Sequence, residues 1–487
     1  MKRIPNIRTI GLLLVAAAFT QSCREKAPPN ILVIVADDHC KQTITSYNPN
    51  SLVQTPGIDR LAEEGMQFHG MMVSNSVCAP SRAVMLTGKH SHVNGMKTNR
   101  HRFDGSQQTF PKLLQEAGYR TAVMGKWHLR SRPEGFDDYR LMDGQGQYYD
   151  CPLKDPGHPW DSTGNVFEGY LTDVITDQGI RWLEELPAEE PFCLLVHHKA
   201  PHGPHDPAPR HAHLWENDTL PEPPTLLDTY EGRAPEPIEE ELVSSRLAIS
   251  RYPGYREDIQ KYAGDREKTT RHMYQVFMRG YLKLVKSLDE NVERLLDYLD
   301  ESGLAENTLV IYTSDNGFFN GEHGFYNKMW MYEPSMALPF IARWPGEIPG
   351  GSDTKTLTSL PDLTATILDA AGVDIPDDLQ GTSLRPVFTN PDTALREAVY
   401  YHYYEAFHVP EQIGVRTTRY KLIFFPNLPE SYRWELYDLQ TDPREMENLY
   451  EHEALQPVRG KMHRLLEEKI DETGDQDAQM FLKNIRI

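Results

Sequence analysis

Cysteine is scarce in this sequence, with five among 487 residues, widely spaced. So few cysteines cannot form the disulfide framework that holds small secreted domains together. Basic residues are also in deficit, since 50 Lys and Arg face 71 Asp and Glu and give a net charge of −21. This balance argues against a nucleic-acid partner, because binding phosphates requires a basic surface. It argues less against a polyanionic sugar, which a small cationic pocket in an acidic protein can bind.

Long apolar runs are also missing after the amino terminus, so no later segment is predicted to cross a membrane. Residues 1–23 are predicted to be a signal peptide, because basic residues at 2, 3 and 8 precede a short apolar run at 10–19. The run ends in Thr20-Gln21-Ser22-Cys23, a loose bacterial lipobox that predicts lipidation of Cys23. Plain cleavage and secretion is the alternative.

These features predict an exported bacterial protein, either a periplasmic or a cell-surface lipoprotein. Signal peptidase and the lipidation machinery are its expected processing partners, and the lipid anchor is its only expected contact with a membrane. Apart from Cys23 and Cys78, the sequence contains Cys40, Cys151 and Cys193. Three cysteines cannot all pair, so at least one is expected to be a buried thiol.

The chain is predicted to fold as an α/β protein with a smaller carboxyl-terminal part. Buried strand patterns alternate with amphipathic helices to about residue 390, which predicts a large, mostly parallel sheet sandwiched by helices over residues 28–390. Beyond it, short runs rich in Tyr, Val and Ile at 399–405, 413–417, 420–425 and 434–439 predict an antiparallel sheet, with a helix at 458–470 packed on it. Residues 391–487 are therefore predicted to be an α+β subdomain.

Two of the predicted central strands end in oxygen ligands. The strand at 30–36 runs into Asp37 and Asp38, and the strand at 308–313 is followed by Asp315 and Asn316. Carboxyl ends of parallel strands meet at one edge of a sheet, where open α/β sheets bind their ligands. Neighbouring acids repel each other unless a cation lies between them, and hard oxygen ligands favour calcium or magnesium over zinc. Taken alone, each pair could also be an ordinary turn.

The segment Cys78-Ala79-Pro80-Ser81-Arg82 places a cysteine at the amino-terminal end of a predicted helix, with Pro80 and Ser81 as helix-start residues. Free backbone N–H groups and the helix dipole favour an anion there, and Arg82 adds a cation suited to an oxyanion. An ordinary cysteine beside a helix start is the alternative.

Further basic groups follow other strands at the same predicted edge. Lys126 and His128 come after a strand at 121–124 and, two residues apart in extended chain, are expected to point to the same side. His202 follows a strand at 191–196, and Lys328 precedes a strand at 338–342. We expect these residues, with Cys78 and Arg82, to lie in loops at one edge of the sheet. The long irregular stretch 201–240 is expected either to wall a substrate pocket or to be a plain surface loop.

The cysteine segment, continued by Leu86-Thr87-Gly88, resembles the signature of the type I sulfatases of the alkaline-phosphatase-like superfamily. The resemblance implies that a separate maturation enzyme oxidises Cys78 to formylglycine, whose hydrated aldehyde is the nucleophile. It also implies one divalent cation, calcium with magnesium as second choice. The metal ligands implied are Asp37, Asp38, Asp315, Asn316 and the modified Cys78.

Gly125-Lys126-Trp127-His128, Ala200-Pro201-His202, Lys328 and the segment 434–438 resemble further family motifs, so the likeness spans the predicted mature chain. It implies that the catalytic residues are Cys78, Arg82, Lys126, His128, His202 and Lys328. The cations would offset the charge of a sulfate ester, His202 would protonate the departing sugar oxygen, and His128 would take the proton whose loss expels sulfate. Five residues with weaker claims stay outside this set: His197, His198, Lys199, His205 and His323.

The stretches 143–149 and 321–324 look similar to sulfatases acting on glycosaminoglycan or mucin sugars, a class that includes the bacterial N-acetylglucosamine-6-sulfatase-like group. The resemblance implies an exo-acting carbohydrate sulfatase for glycosaminoglycan or mucin-type glycans, with N-acetylglucosamine 6-O-sulfate as the first expected substrate. Two alternatives remain open. One is a phosphonate or phosphate monoester hydrolase of the same superfamily, and the other is a catalytically silent glycan-binding lipoprotein.

Overall fold

A computed structural model describes residues 27–187, 190–250, 262, 264–404 and 408–485 of the chain. The predicted signal peptide and Cys23 lie outside these residues. Within them, no helix combines the length and apolar character needed to span a membrane. Cys40, Cys78, Cys151 and Cys193 are all buried and all free thiols.

The main sheet has ten strands in the order β11-β2-β10-β9-β1-β8-β4-β5-β6-β7. Neighbours from β9 to β5 pair in parallel, whereas β10 runs antiparallel to both β9 and β2. The strands of this sheet and of a short β3–β12 pair are β1 Asn30–Asp37, β2 Met66–Phe68, β3 Met71–Met72, β4 Arg120–Lys126, β5 Asp138–Met142, β6 Pro152–Lys154, β7 Asn165–Val166, β8 Phe192–Pro201, β9 Thr308–Ser314, β10 Phe340–Arg343, β11 Ser352–Thr354 and β12 Thr358–Ser359.

Helices cover both faces of the sheet because its central strands are apolar on both sides. In β1, residues 31, 33 and 35 belong to one buried cluster, and residues 32, 34 and 36 belong to the other. Of the helices, α2, α4 and α9 contribute to the first cluster, and α1, α5 and α7 to the second. The helices are α1 Pro56–Glu63, α2 Cys78–Thr87, α3 Ser91–Asn94, α4 Phe110–Glu116, α5 Leu171–Glu184, α6 Pro235–Ile249, α7 Arg266–Glu301, α8 Glu333–Met336, α9 Pro361–Ala370, α10 Arg385–Thr389, α11 Gln456–Thr473 and α12 Gln476–Lys483.

A second, antiparallel sheet joins β13 Ala398–Tyr403, β14 Gln412–Thr417, β15 Tyr420–Phe424 and β16 Trp434–Asp438 in chain order. One face of this sheet packs on α11, in a cluster with Leu422 and Leu466. Tyr401 and Tyr437 on its other face belong to the core of the main sheet. The predicted fold class, a large mostly parallel sheet with helices plus a small antiparallel sheet carrying a helix, is confirmed. The domain limits 28–390 and 391–487 stay a prediction.

Several local predictions are wrong. The segment 201–240 was expected to be irregular, but α6 begins at Pro235 within it. Strand β8 continues beyond the predicted end at residue 196 through residues 197–201, so His197, His198 and Lys199 belong to the sheet rather than to the segment after it. Cys78 and Arg82 lie in α2, and Lys126 is the last residue of β4, so these three are also not loop residues.

Gly125 permits the close approach of β4 and β8 that brings Lys126 to the sheet edge. Its φ is 102°, a conformation that favours glycine, and a Cβ there would lie 2.0 Å from the backbone oxygen of His197. Gly118, just before the same strand, also has a positive φ, 90°, but a Cβ there would meet nothing within 4 Å. Substitutions at the two glycines therefore distinguish the free-energy cost of backbone strain from the cost of steric overlap.

We expect Gly125→Ala to destabilise the protein by about 3–5 kcal/mol, because two buried strands must separate. Gly118→Ala carries only the backbone strain and should cost about 1–2 kcal/mol. Thermal unfolding of both variants beside the parent measures the difference. Equal losses in the two variants would show that the β4–β8 contact is not the constraint.

Candidate active site

The two acid pairs meet at the carboxyl edge of the main sheet. β1 and β9 are parallel neighbours with Ala36 opposite Ser314, so the residues that follow them lie side by side. The backbone N–H of Asp38 donates to Asp315 Oδ1 at 3.2 Å. Asp37, Asp38 and Asp315 each contribute an oxygen to a group whose members all lie within 4.8 Å of one another.

Asn316 completes a donor set that fits a hard cation. Its Nδ2 donates to Asp315 Oδ1 at 2.9 Å and to Asp38 Oδ1 at 3.4 Å. Its Oδ1 is buried and has no hydrogen-bond partner among the described residues. An orphaned carbonyl oxygen beside three carboxylates is the arrangement expected of a calcium or magnesium site, because both ions take oxygen ligands.

Three buried cations face the three carboxylates. Lys126 Nζ pairs with Asp37, Lys328 Nζ pairs with Asp38, and Arg82 pairs with Asp315 at 2.8 Å. The six side chains are at most 5% exposed. Three negative and three positive charges leave the protein part of the site formally neutral. Burial without this pairing would be prohibitive, since an isolated buried charge costs several kcal/mol or more.

The pKa values of the two neighbouring acids move in opposite directions. Burial raises the pKa of Asp37, but Lys126, Lys328 and Arg82 outweigh it and hold this pKa well below its usual range. Burial raises the pKa of Asp38 to about 7, and the charges of Asp37 and Asp315 add to this effect while Lys328 opposes it. A divalent cation among these oxygens favours the charged form of every carboxyl group around it.

Cys78 is the first residue of α2, so the prediction that it lies at a helix amino terminus is confirmed. Its Sγ lies 2.9 Å from Lys328 Nζ and 3.7 Å from Asp37 Oδ1. Burial raises the pKa of this thiol to about 12, although both lysines oppose the shift. The residue is therefore a protonated thiol.

Arg82, one turn into α2, bonds protein groups on several elements. Its Nε and Nη2 donate to Asp315 Oδ2 at 3.0 and 2.8 Å, and its Nη1 donates to the backbone oxygen of Lys126 at 2.9 Å. The same Nη1 lies 3.2 Å from His197 Nδ1. Arg82 thus ties α2, β4, β8 and the end of β9 together and orients Asp315.

The two predicted acid–base histidines have different settings. His202 Nε2 lies 3.7 Å from Asp38 Oδ2, and its Nδ1 lies 2.6 Å from the backbone oxygen of Gly203, which makes Nδ1 the protonated nitrogen. Burial, and then the charges of Lys126, Lys199 and Lys328, hold the pKa of His202 well below its usual value. His202 is therefore neutral, with its Nε2 lone pair towards the acid cluster.

His128 does not share an extended strand with Lys126, so that prediction is wrong. β4 ends at Lys126, and His128 has a φ of 61°, in the left-handed region. Burial and then the charge of Lys126 lower the pKa of His128 to about 3, with the charge of Asp37 opposing. Its Nδ1 is buried without a described hydrogen-bond partner.

A pocket of about 450 Å³ opens above Cys78, Asp38, His202 and Lys328. Three amides and three aromatic rings add to its wall: Asn99, Gln145, Asn327, Phe277, Phe318 and Tyr326. Gln145 Oε1 accepts from Lys126 Nζ at 2.7 Å, and since a lysine can only donate, the amide NH2 group of Gln145 points elsewhere. Gln145 lies within the stretch 143–149, which the sequence analysis singled out for its similarity to other proteins. No sequence signal distinguishes Asn99 or Phe318.

The five residues with weaker claims do not line this pocket. His197 bonds Arg82, His198 is buried in β8 with both ring nitrogens unpartnered among the described residues, and Lys199 Nζ donates to the backbone of Gly203. His205 packs against the rings of Phe277 and Tyr281. His323 bonds Asp228 at 2.6 Å.

Comparison with known proteins agrees with this site. The sulfatase family model matches residues 29–373, and the model of the N-sulphoglucosamine sulphohydrolase carboxyl-terminal region matches residues 321–472. An N-acetylglucosamine-6-O-sulfatase of Bacteroides thetaiotaomicron is 40% identical over 96% of this chain and 91% of its own length. An ulvan-active sulfatase of Formosa agariphila is 25% identical over 97% of this chain and 89% of its own length.

Solved structures agree as well. A protein in complex with its substrate, D-glucosamine-2-N,6-O-disulfate, matches with a TM-score of 0.85 and 41% identity, over 93% of this chain and 99% of its own. A phosphonate monoester hydrolase of Agrobacterium radiobacter shares the fold, with a TM-score of 0.71 and 22% identity over 91% of this chain and 96% of its own.

The chain belongs to the sulfatase family. The predicted resemblance and the predicted class of enzyme, a sulfuric ester hydrolase, are thereby confirmed.

Replacing Arg82 tests how far the site depends on its guanidinium group. Arg82→Lys keeps the charge but loses the bonds to Lys126, His197 and one of the two bonds to Asp315, so we expect a loss of about 2–4 kcal/mol. Arg385→Lys is the matched control, because that arginine pairs with Asp369 at a 40% exposed position and should lose at most about 1 kcal/mol. Thermal unfolding measures both. Similar small losses would contradict the assigned importance of Arg82.

Proposed function

We propose that the protein is an exo-acting carbohydrate sulfatase that removes the 6-O-sulfate of terminal N-acetylglucosamine in glycosaminoglycan or mucin-type glycans. The observation that carries the chemistry is the position of Cys78, at a helix amino terminus between Lys328 and Asp37 and open to the pocket. The 40% identical N-acetylglucosamine-6-O-sulfatase, aligned over nearly the whole chain, supports the substrate.

Residue 78 acts as formylglycine in this proposal, made from cysteine by a separate maturation enzyme. A protonated, buried thiol is a weak nucleophile, since the thiolate is the reactive form of cysteine. In the hydrated aldehyde the nucleophile would be a hydroxyl, whose pKa a bound divalent cation would lower. Lys328 Nζ, 2.9 Å from the Cys78 sulfur, is placed to donate a hydrogen bond to that group.

Asp37, Asp38, Asp315 and Asn316, with the modified residue 78, hold the proposed calcium. When bound, calcium adds two positive charges to a formally neutral cluster and so attracts and polarises the anionic sulfate. Lys126 and Lys328 flank the same position and stabilise the sulfate oxygens. Magnesium is the second choice, because it demands near-ideal octahedral coordination, whereas calcium accepts a flexible arrangement of oxygen ligands.

His202 is the proposed acid for the departing sugar oxygen. Its Nε2 faces Asp38 at the base of the pocket. The lowered pKa of the free site reflects burial and three lysines, and an anionic substrate beside the ring favours the protonated form. His128 is the proposed base that takes the proton from residue 78 as sulfate leaves, and its depressed pKa keeps it neutral and ready to accept.

A phosphonate or phosphate monoester hydrolase is the second candidate, because such an enzyme shares the fold. The alternative of a silent glycan-binding protein is disfavoured by the buried cations and bases around Cys78, which binding alone does not require. Export and lipidation at Cys23 remain part of the proposal and rest on residues 1–23 of the sequence.

Mass spectrometry of the peptide carrying residue 78, in protein from the native host, tests the nucleophile. We expect a mass about 18 Da below that of the cysteine peptide, because an aldehyde replaces the CH2–SH group. Hydration adds about 18 Da back, so the dehydrated aldehyde is the diagnostic species. Cys193, a buried thiol in β8, is the internal control and should be unmodified. An unmodified thiol at position 78 would rule out formylglycine.

Sulfate release from defined monosaccharides tests the substrate. We expect activity on N-acetylglucosamine 6-O-sulfate, a drop of at least about 100-fold for the 6-phosphate analogue, and loss of activity with a chelator that added calcium reverses. His202→Gln should lower kcat by about 10²–10⁴-fold, because it removes the proposed acid. No activity on any 6-sulfated hexosamine would exclude the proposed substrate, and faster release of phosphate than of sulfate would favour the second candidate.

A further inference from the structure

The turn that presents Asp38 to the proposed cation site is strained. Asp38 has a φ of 68°, a left-handed conformation that non-glycine residues rarely adopt. Such a conformation persists only where the surroundings hold it in place. The groups that hold the turn therefore determine where the Asp38 carboxylate lies.

From the sheet side, the end of β9 holds this turn. The backbone N–H of Asp38 donates to Asp315 Oδ1, and the N–H of His39 donates to Ser314 Oγ at 2.9 Å. His39 Nδ1 lies 2.5 Å from the hydroxyl of Tyr312. These bonds anchor the N–H groups of the turn and leave its carbonyl side to another element.

From the opposite side, a single hydroxyl of the long helix α7 spans the turn. Tyr281 donates to the backbone oxygen of Asp38 at 2.7 Å and accepts from the backbone N–H of Cys40 at 3.2 Å. One group thus bonds the chain on both sides of His39. Tyr281 is 1% exposed, and its ring stacks on Phe277 and Phe318, two residues of the pocket wall.

We propose that Tyr281 is a positioning residue for the cation, acting through the backbone of Asp38. Tyr281 is neither a lining residue of the pocket nor a member of the acid cluster, but it closes the strained turn from which the Asp38 carboxylate projects. Partners that orient metal ligands typically change metal affinity by 10–100-fold when removed. This inference rests on the cation site of the proposed function.

Helix α7 offers a matched control. Tyr274 lies seven residues before Tyr281, two turns along the same face, in the same apolar cluster and at 2% exposure. Its hydroxyl also donates to a backbone oxygen, that of Pro221, which lies outside the site. Tyr274→Phe and Tyr281→Phe therefore each remove a hydroxyl that donates to a backbone oxygen in the same cluster, but only Tyr281→Phe removes the bonds to Asp38 and Cys40.

The experiment measures calcium affinity of the mature full-length protein by calorimetric titration of calcium into chelator-treated samples. We expect Tyr281→Phe to weaken calcium binding by about 10–100-fold and Tyr274→Phe to leave it within about twofold of the parent. Raising calcium should restore kcat of Tyr281→Phe on the sulfated substrate, since the hydroxyl takes no part in the chemistry. The thermal stability of both calcium-free variants should fall, and it should fall further in Tyr281→Phe, which also leaves the backbone N–H of Cys40 without its acceptor.

Two results would overturn the inference while leaving the cation site intact: parent-like calcium affinity in Tyr281→Phe, or equal weakening in both variants. The first removes any role for the hydroxyl, and the second assigns the effect to general loosening of the cluster. A parent protein that binds no calcium would instead refute the cation site of the proposed function, and this inference with it.

Discussion

The burial of three carboxylates against three cations at one edge of the sheet is the interaction on which the rest of the structure depends. Asp37, Asp38 and Asp315 cannot be buried together without Lys126, Lys328 and Arg82, and none of the six is tolerable alone in that environment. Because the cluster is formally neutral, a divalent cation gives it a net positive charge. A site that is neutral without the cation and positively charged with it is suited to binding an anionic sulfate ester.

Backbone geometry delivers these groups to one place. The parallel register of β1 and β9 sets the two acid pairs side by side, and Gly125 allows β4 to approach β8 closely enough for Lys126 to reach Asp37. Helix α2 begins at Cys78, so this residue lies where helix N–H groups favour an anion. Arg82 joins this helix to three strand ends. Stability and function therefore depend on the same buried contacts.

Sequence patterns predicted the parts of this site that follow strand and helix periodicity. Apolar runs ending in Asp37 and Asp315 placed the acid pairs correctly, because a buried parallel strand leaves few options for the residues just beyond it. Sequence patterns failed where tertiary contacts override the local preference of the chain. The left-handed turn at His128 and the extension of β8 through two histidines and Lys199 have no periodic signal. The pocket residues Asn99 and Phe318 are also invisible in sequence, because they are brought together only by long-range packing.

A crystal structure of the mature protein, grown with calcium and N-acetylglucosamine 6-O-sulfate, tests the central claim most directly. The account predicts a cation about 2.3–2.6 Å from oxygens of Asp37, Asp38, Asp315 and Asn316. It also predicts an aldehyde hydrate at residue 78 and the 6-sulfate between Lys126 and Lys328. A cysteine thiol at residue 78, or lysine–carboxylate pairs with no cation among them in the presence of calcium, would contradict it.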